Sequence, residues 1–294
     1  MGRVPSISVI VVAYNAAHTI RPGLTALENQ IDREFELIVV DSSTDDETAS
    51  IVSNEFPRAR LIRSNVRLYP GAARNRGIAE VTADVIAFVD SDCLAAPNWT
   101  ELLKRAYGEP NVLAVGGAVV PANPESRIGW GAYLCEFSNW APSGPPRKMV
   151  DIPTCNISYR PELLWQFGPF LENGYCSDTA MNWKLADAGH SLVFRPDLVV
   201  AHFNLNHLGR FARKQVMHGN AFARMRCQVR NLSVLQRAAL VAGCILLPGL
   251  LLWRLIRRVV PAGYLSQALL SLPVILIGLV AWSWGEAKGY ASFE

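Results

Sequence analysis

The chain has 294 residues, of which 50% are hydrophobic and 18% are charged, and its formal net charge is +3. This composition excludes a disordered or collagen-like chain and leaves room for one large domain with an appendage. Residues 1–197 carry 17 basic and 23 acidic side chains, whereas residues 198–285 carry ten basic side chains and no acidic ones. Because the positive charge lies beside apolar segments, it does not indicate nucleic acid as a partner.

The first 200 residues alternate strand and helix patterns. Continuous apolar runs predict buried strands at residues 7–12, 35–40, 61–62 and 85–89. Helical patterns lie between and after them, at residues 19–29, from a cap among residues 43–46 to about residue 55, at 71–80 and at 99–107. This βαβα order predicts an α/β fold with a doubly wound, mostly parallel sheet and helices on both faces.

Polar clusters follow three of the predicted strands, where ligands of such sheets bind. They are Tyr14-Asn15, Asp41-Ser42-Ser43 and Asp90-Ser91-Asp92. Two carboxylates at positions i and i+2 can hold Mg²⁺ or Mn²⁺, with phosphate oxygens and water as the other ligands. A carboxylate at Asp41 can accept hydrogen bonds from a base or a ribose. Each cluster taken alone is also typical of a turn or a helix cap.

Four blocks of sequence, taken in order, resemble the inverting family 2 glycosyltransferases of the GT-A fold: ISVIVVAYN, ELIVVDSSTDDET, GAARNRGIA and VIAFVDSDC. The resemblance covers about residues 6–205 and continues through TCNISYRPELLWQFGPF, SDTAMNWKLADAGHSLVF and RPDLVVAHFN. It implies a GT-A catalytic domain over residues 1–205. Such a domain moves one sugar from a nucleoside-diphosphate sugar to a hydroxyl acceptor and inverts the anomeric configuration.

The resemblance also implies roles for residues on the donor side. Tyr14 and Asp41 match positions around the nucleotide base, and Arg74 matches a basic residue near the nucleotide. Asp90 is expected near the ribose and the donor sugar. Asp92 matches the metal-binding aspartate of the DxD motif, which implies Mg²⁺ or Mn²⁺ as the cofactor.

On the acceptor side, Asp178 matches the general base of the family. Asn156 lies in the acceptor-side block, and Trp130 and Trp140 lie in an aromatic loop that can offer a platform for a sugar ring. Exposed aromatic residues over a hydrophobic core would give the same pattern. His202 ends the closing strand, where it is either a further metal or diphosphate contact or a packed structural histidine.

The sequence departs from the family beside the base. The usual Glu-Asp pair is Ser177-Asp178, and Ala180 replaces an acidic residue often found two positions after the base. We therefore expect the site to lack a second carboxylate that would orient Asp178 or raise its pKa. This leaves a catalytically weak or inactive nucleotide-sugar-binding scaffold as the alternative function. No Gln-x-x-Arg-Trp block occurs near Gln215, which favours transfer of a single sugar.

The C-terminal third predicts attachment to a membrane. Residues 206–237 are expected to form a basic amphipathic juxtamembrane segment on an anionic leaflet. Residues 238–285 are expected to form a hairpin of two membrane-associated or transmembrane helices, of which the first either spans the membrane or is re-entrant, and residues 286–294 form a tail. The charge distribution places the catalytic domain at the cytoplasmic face of the cell membrane. The expected acceptor is then lipid-linked, as in the synthesis of cell-envelope polysaccharide or glycolipid. The alternative is a helical layer packed on a soluble core.

Overall fold

A computed structural model describes residues 5–293, which divide into two compact units. The first unit comprises the chain up to Val119 and Pro145–His202, and the second comprises Val120–Gly144 and the chain from Phe203 onward. The expected catalytic range 1–205 is thus interrupted, because residues 120–144 group with the C-terminal helices. Residues 1–4 and 294, the outermost residues of the expected ranges 1–205 and 286–294, lie outside the described residues.

The apolar runs of the first unit form its parallel strands, as predicted. These strands are β1 (Ile7–Ala13), β2 (Glu36–Asp41), β3 (Ala59–Arg63) and β4 (Val85–Asp90). They pair in parallel in the order β3-β2-β1-β4. The intervening helices are α1 (Ile20–Glu28), α2 (Glu47–Glu55) and α3 (Pro70–Ile78). The central strands are almost fully buried, which is why their sequences are continuously apolar rather than alternating.

The rest of the sheet corrects the expectation of a mostly parallel arrangement. Its strands are β5 (Cys93–Ala95), β6 (Ala114–Pro121), β7 (Arg147–Met149), β8 (Ile157–Tyr159) and β9 (Leu192–His202). The order continues from β4 through β8, β6 and β9 to β5, and β7 pairs with β9. The pairings β4–β8, β6–β8, β5–β9 and β7–β9 are antiparallel, so the sheet is mixed. Three of these five strands have only three residues each, which gives little periodicity to detect in the sequence.

Helices cover both faces of this mixed sheet. In the second half of the first unit they are α4 (Trp99–Tyr107), α6 (Pro161–Phe167), α7 (Ser177–Asp187) and a 3₁₀ helix, Thr154–Asn156. Aromatic side chains fill the core between layers: Phe88 meets Tyr159 and Phe170 edge to face, with ring centroids 6.2 and 5.7 Å apart. Pairs in this geometry stabilise a core beyond the effect of their buried area.

The second unit is helical, and its helices are more numerous than the expected hairpin of two. They are α5 (Arg127–Phe137), α8 (Leu208–Arg230), α9 (Val234–Gly243), α10 (Leu247–Val259), α11 (Leu265–Leu270) and α12 (Leu272–Ala291), with a 3₁₀ helix at Ser138–Trp140. Ser233 and Gln236 form a capping box that starts α9, and Gly263 has a positive φ of 75° after α10. Local capping and turn residues thus divide the two apolar runs of the sequence into several shorter helices.

The long basic helix α8 packs along α12. A Cβ at Gly219 of α8 would lie 2.3 Å from the carbonyl oxygen of Trp282, so the two backbones touch. Phe211, Ala223 and Met225 of α8 are buried. Protein thus covers part of the apolar face of α8, and the expected contact of residues 206–237 with an anionic leaflet stays a prediction.

Among the described residues, no single helix combines the length and hydropathy needed to cross a membrane. The helices α9 and α10 reach the required values only as a pair, and they meet at a bend of 68°.

Replacing Gly285 by alanine tests the close approach of α8 and α12. The added Cβ would lie 2.2 Å from the carbonyl oxygen of Val216, and a backbone atom cannot move away as a flexible side chain does. We expect Gly285→Ala to lower the free energy of unfolding by about 1–3 kcal/mol. Gly249→Ala in α10, where nothing lies within 4 Å of the new Cβ, is the matched control and should be neutral or stabilising. Thermal unfolding followed by circular dichroism measures both, and equal midpoints would contradict the packing.

Candidate active site

Strand β1 separates the two carboxylates that end its neighbours. Asp41 of β2 lies opposite Ala13, and Asp90 of β4 lies opposite Val12. Two inter-strand spacings place these aspartates about 10 Å apart at one edge of the sheet. Tyr14 follows β1 at the same edge. The parallel pairing thus brings together the three polar clusters that the sequence analysis singled out.

At the β2 side of this edge, a loop holds one oxygen of Asp41 and leaves the other without a partner. Asp41 is fully buried, and its Oδ1 accepts hydrogen bonds from the backbone N–H and the hydroxyl of Ser43. Asp41 Oδ2 and the hydroxyl oxygen of Ser42 are buried and have no hydrogen-bond partner. An unsatisfied buried polar group costs about 1–3 kcal/mol, so these atoms are poised for a polar ligand.

An aromatic and cationic cluster lies beside this loop. Tyr14 is 37% exposed, and the guanidinium of Arg67 stands 4.5 Å from the centre of its ring. The same guanidinium stands 5.5 Å from the ring of Tyr69. Such a planar, exposed surface can stack against a flat ligand group. Arg67 carries no motif and was not predicted from the sequence.

At the β4 side, Arg74 of α3 donates a hydrogen bond of 3.0 Å from Nη2 to Asp90 Oδ1. The Arg74 side chain is 5% exposed, and its Nε has no partner. Burial raises the pKa of Asp90 above its ordinary value, and the Arg74 guanidinium opposes that rise. A buried cation with a free N–H at the end of two strands is suited to bind an anion.

Asp92, Cys93 and His202 lie close enough together to form a candidate metal site. One ligand atom of each lies within 4.8 Å of the others, and His202 Nε2 stands 3.4 Å from Asp92 Oδ2. The carboxylate and the imidazole fit Mn²⁺, whereas burial raises the pKa of the Cys93 thiol well above its usual value and keeps it protonated. The antiparallel pairing of β5 with β9 places Cys93 opposite His202 and thereby builds this cluster.

Asp178 lies in the first turn of α7, after a cap at Cys176 whose φ is +64°. Its Oδ2 accepts hydrogen bonds from the backbone N–H of Thr154 at 3.3 Å and from the Thr154 hydroxyl at 3.1 Å. Strand β8 begins just after the 3₁₀ helix that contains Thr154, and it pairs antiparallel with β4 at Phe88 and Ile157. The segment that holds Asp178 therefore reaches the end of β4, where Asp90 lies.

Asn156 departs from the expected acceptor contact. Asn156 is fully buried, and its Nδ2 donates hydrogen bonds of 2.9 Å to the carbonyl oxygens of Ala118 and Leu198. Its Oδ1 accepts a hydrogen bond of 2.9 Å from Trp99 Nε1. These contacts give Asn156 a structural role in place of the expected one, because no atom of the side chain is accessible.

Trp130 and Trp140 belong to the second unit. The ring of Trp130 packs edge to face with Tyr133 at 5.5 Å and with Tyr264 at 5.1 Å, and its Nε1 donates to Pro124 O at 2.8 Å. Trp140 lies 6.4 Å from the ring of Phe137. A platform role for these two residues stays a prediction.

The sequence model of glycosyl transferase family 2 matches residues 8–166, more than half of the chain. The chain belongs to this family. The match covers Tyr14, Asp41, Arg74, Asp90 and Asp92 but ends before Asp178.

Two curated glycosyltransferases are similar in sequence. Glycosyltransferase AglE from Haloferax volcanii is 28% identical over 222 residues, covering 73% of this chain and 72% of the relative. The pre-mycofactocin glycosyltransferase from Mycobacterium tuberculosis is 27% identical over 227 residues, covering 74% of this chain but 47% of the relative. The chain thus spans about half the length of the second relative.

Two solved structures share the fold. The mannosyltransferase PcManGT from Pyrobaculum calidifontis, in complex with GDP-Man and Mn²⁺, has a TM-score of 0.64 at 20% identity and matches 97% of this chain and 87% of that one. GalNAc-T7 with UDP, GalNAc and Mn²⁺ has a TM-score of 0.54 at 15% identity and matches 69% of this chain and 44% of that one. At these identities the similarity shows the GT-A fold, which confirms the fold that the sequence blocks implied.

The carboxylate of Asp151 also belongs to this region and was not predicted. Its Oδ2 accepts a hydrogen bond of 3.1 Å from the Thr179 hydroxyl, and its Oδ1 accepts one of 2.8 Å from Asn182 Nδ2. Both donors lie on α7 beside Asp178. No local pattern marks Asp151, because it precedes a proline-containing loop and meets α7 only in the folded chain.

Removing the Asn156 amide tests its structural role. Asn156→Ala leaves the indole N–H of Trp99 and the Ala118 and Leu198 carbonyls without that partner in the core. We expect a loss of about 2–4 kcal/mol in the free energy of unfolding, measured by urea denaturation. Asn54→Ala, at an exposed position of α2, is the control and should change stability by less than about 0.5 kcal/mol. An Asn156→Ala protein as stable as the parent would remove the structural assignment.

Proposed function

We propose that the chain transfers one sugar from a nucleoside-diphosphate sugar to a hydroxyl acceptor, with inversion, using a divalent cation and Asp178 as the base. The observation that carries the proposal is the set of unpartnered buried polar atoms at one edge of the sheet. They are Asp41 Oδ2, Ser42 Oγ and Arg74 Nε, and Asp90 and Asp92 lie at the same edge. Family membership and the glycosyltransferase relatives support the same activity.

The unpartnered atoms match the parts of a nucleotide in order across the sheet. Asp41 Oδ2 is an acceptor that suits a base N–H or a ribose hydroxyl, and the ring of Tyr14 beside it can stack on the base. Arg74 Nε is a donor that suits a phosphate oxygen. In this arrangement Asp90 lies between the nucleoside and the donor sugar. GDP-Man in one structural neighbour and UDP in another support a nucleotide ligand.

Asp92 and His202 would hold the cation. When bound, it neutralises negative charge on the leaving diphosphate. We favour Mn²⁺ over Mg²⁺ because an imidazole stands beside the carboxylate, and Mg²⁺ in proteins is bound mainly through carboxylates, phosphates and water. The Mn²⁺ in both solved neighbours supports this choice.

Asp178 accepts the proton of the acceptor hydroxyl as the new glycosidic bond forms and the diphosphate leaves. Thr154 donates two hydrogen bonds to Oδ2, which fixes the orientation of the carboxylate. Oδ1 accepts from the backbone N–H of Thr179 at 2.9 Å. General base catalysis by a positioned carboxylate contributes about 10²–10⁴-fold to the rate.

Two substitutions separate the metal and base roles. We expect Asp92→Asn to reduce nucleoside-diphosphate release from the donor by at least about 10²-fold, since it removes the proposed carboxylate ligand of the cation. We expect Asp178→Asn to reduce transfer by about 10²–10⁴-fold while nucleotide affinity changes less than about twofold. The purified protein is assayed with a panel of nucleoside-diphosphate sugars in Mn²⁺, in Mg²⁺ and after chelation.

Asp187→Asn, at the exposed last residue of α7, is the matched control and should retain full activity. Unchanged turnover in both test variants would remove the assignment. Metal-dependent nucleotide binding without turnover on any donor would establish the alternative, a nucleotide-sugar-binding scaffold.

We propose further that the second unit attaches the enzyme to an anionic membrane surface through α9, α10 and α11. Helix α9 has no buried residue, and exposed apolar side chains continue along the group, including Leu235, Leu246, Trp253, Ile256 and Leu269. A patch of this kind is unusual on a soluble monomer. Arg254 and Arg257 are exposed beside it, and residues 198–285 contain no acid, which favours an anionic leaflet and supports our proposal of a cytoplasmic location for the first unit.

Vesicle binding tests this attachment. We expect Leu246→Ser with Trp253→Ser to weaken binding to phosphatidylglycerol-containing vesicles by at least about tenfold, since each inserted side chain contributes about 1.5–3 kcal/mol. Ile31→Ser, at a 69% exposed position of the first unit, is the control and should bind as the parent does. Binding should weaken with salt and with neutral lipid. Concentration-dependent dimerisation without vesicle binding would instead assign the patch to a second copy of the chain.

A further inference from the structure

We propose that Asp151 is a positioning residue for Asp178, and that it replaces in space the carboxylate that the sequence lacks at Ser177. This inference rests on the proposed role of Asp178 as the base. The family resemblance leads one to expect an acid immediately before the base on the same helix. The chain instead supplies an acid from the loop between β7 and the 3₁₀ helix, 27 positions earlier in sequence.

The contacts of Asp151 fix the first turns of α7. Thr179, the residue after the base, donates its hydroxyl to Asp151 Oδ2, and Asn182, one turn further, donates its amide to Oδ1. Asn182 also donates to the carbonyl of Ile152 at 2.8 Å, and its Oδ1 accepts the hydroxyl of Tyr159 at 2.6 Å. Asp151 thus holds α7 at two positions that follow the base.

The same segment holds the base directly. Three residues after Asp151, Thr154 donates two hydrogen bonds to Asp178 Oδ2. Within residues 151–154, Asp151 therefore accepts hydrogen bonds from α7 and Thr154 donates hydrogen bonds to α7. A displacement of about 1 Å in a catalytic group can cost on the order of 10²-fold in rate, so this double contact bears directly on transfer.

The charge of Asp151 adds a pH dependence to this arrangement. Burial, and secondarily the negative charge of Asp178, raise the pKa of Asp151 to about 6. The titratable groups that face it are Asp178 of α7 and Tyr159 of β8. When Asp151 takes up a proton as the pH falls through about 6, the carboxylate loses the negative charge that strengthens its hydrogen bonds with Thr179 and Asn182. The anchor therefore weakens at low pH and is complete above about pH 6.

Kinetics of two variants test the proposal. We expect Asp151→Ala to lower kcat by about 10–100-fold with the donor KM changed less than about twofold, because Asp41 and Arg74 are untouched. Asp151→Asn keeps the shape and the acceptor for Asn182, so it should rescue most of kcat. Because the amide resembles protonated Asp151, this variant should hold kcat at the level of the parent protein below pH 6 and lack the inflection in log kcat that we expect for the parent near pH 6. Asp187→Asn again serves as the control for loss of one acidic charge near α7.

Hydrogen exchange tests the proposal without any measurement of activity. Amides at the start of α7 should exchange faster in Asp151→Ala than in the parent, and Asp151→Asn should restore most of the protection. Unchanged exchange in Asp151→Ala, or a kcat equal to that of the parent where the donor is turned over, would overturn the proposal. The base assignment fails separately, when Asp178→Asn keeps full transfer. A loss confined to KM or to thermal stability would reduce Asp151 to a structural residue and would also overturn it.

Discussion

The candidate site depends on strand β4 having neighbours of opposite direction. On one side the parallel strands β1 and β2 end at the same edge as β4, which assembles Asp41 and Asp90 into one row. On the other side β8 runs antiparallel, so the chain that enters β8 comes from that same edge and brings Thr154 with it. Thr154 in turn binds Asp178. The change of direction at β4 therefore joins a nucleotide-binding half to a half that carries the base, and a fully parallel sheet would have led the chain away.

The energetics of this edge are those of a site built for a ligand rather than for stability. Buried polar atoms are normally satisfied, because each unsatisfied one costs about 1–3 kcal/mol. Yet Asp41 and Arg74 are fixed by one hydrogen-bonded atom each and leave another atom unpartnered. Partial satisfaction orients the side chain and keeps the remaining donor or acceptor available. In the core the opposite holds, since Asn156 has all its hydrogen bonds inside the protein and stabilises it instead.

Sequence patterns predicted the parts of the fold whose stability is local or periodic. The buried strands β1, β2 and β4 and the helix α4 came out within one or two residues, because continuous apolar runs and helical spacing carry that information. The carboxylates that end strands followed from the same pattern. Three-residue strands such as β7 and β8 carry too little periodicity, so the sheet was expected to be more parallel than it is.

The two apolar C-terminal runs indicated how many residues are apolar but not where each helix begins and ends. The cap at Ser233 and the turn at Gly263 divide these runs into more helices than expected. Arg67 and Asp151 act through contacts distant in sequence, which no local pattern records.

The departure at Ser177 has a physical consequence that goes beyond one missing acid. A glutamate next to the base would share the first turn of α7, where the helix dipole stabilises negative charge, and both acids would move with the helix. Asp151 instead lies on a segment that continues into β8, and β8 is hydrogen-bonded to β4. Through Asp151 and Thr154 the first turns of α7 are tied to the same sheet that carries Asp90 and Asp92. The distance between base and donor site then depends on the pairing of β8 with β4 as well as on the packing of α7. A carboxylate remote in sequence can thus position the base through the sheet, whereas an adjacent one would act within the helix.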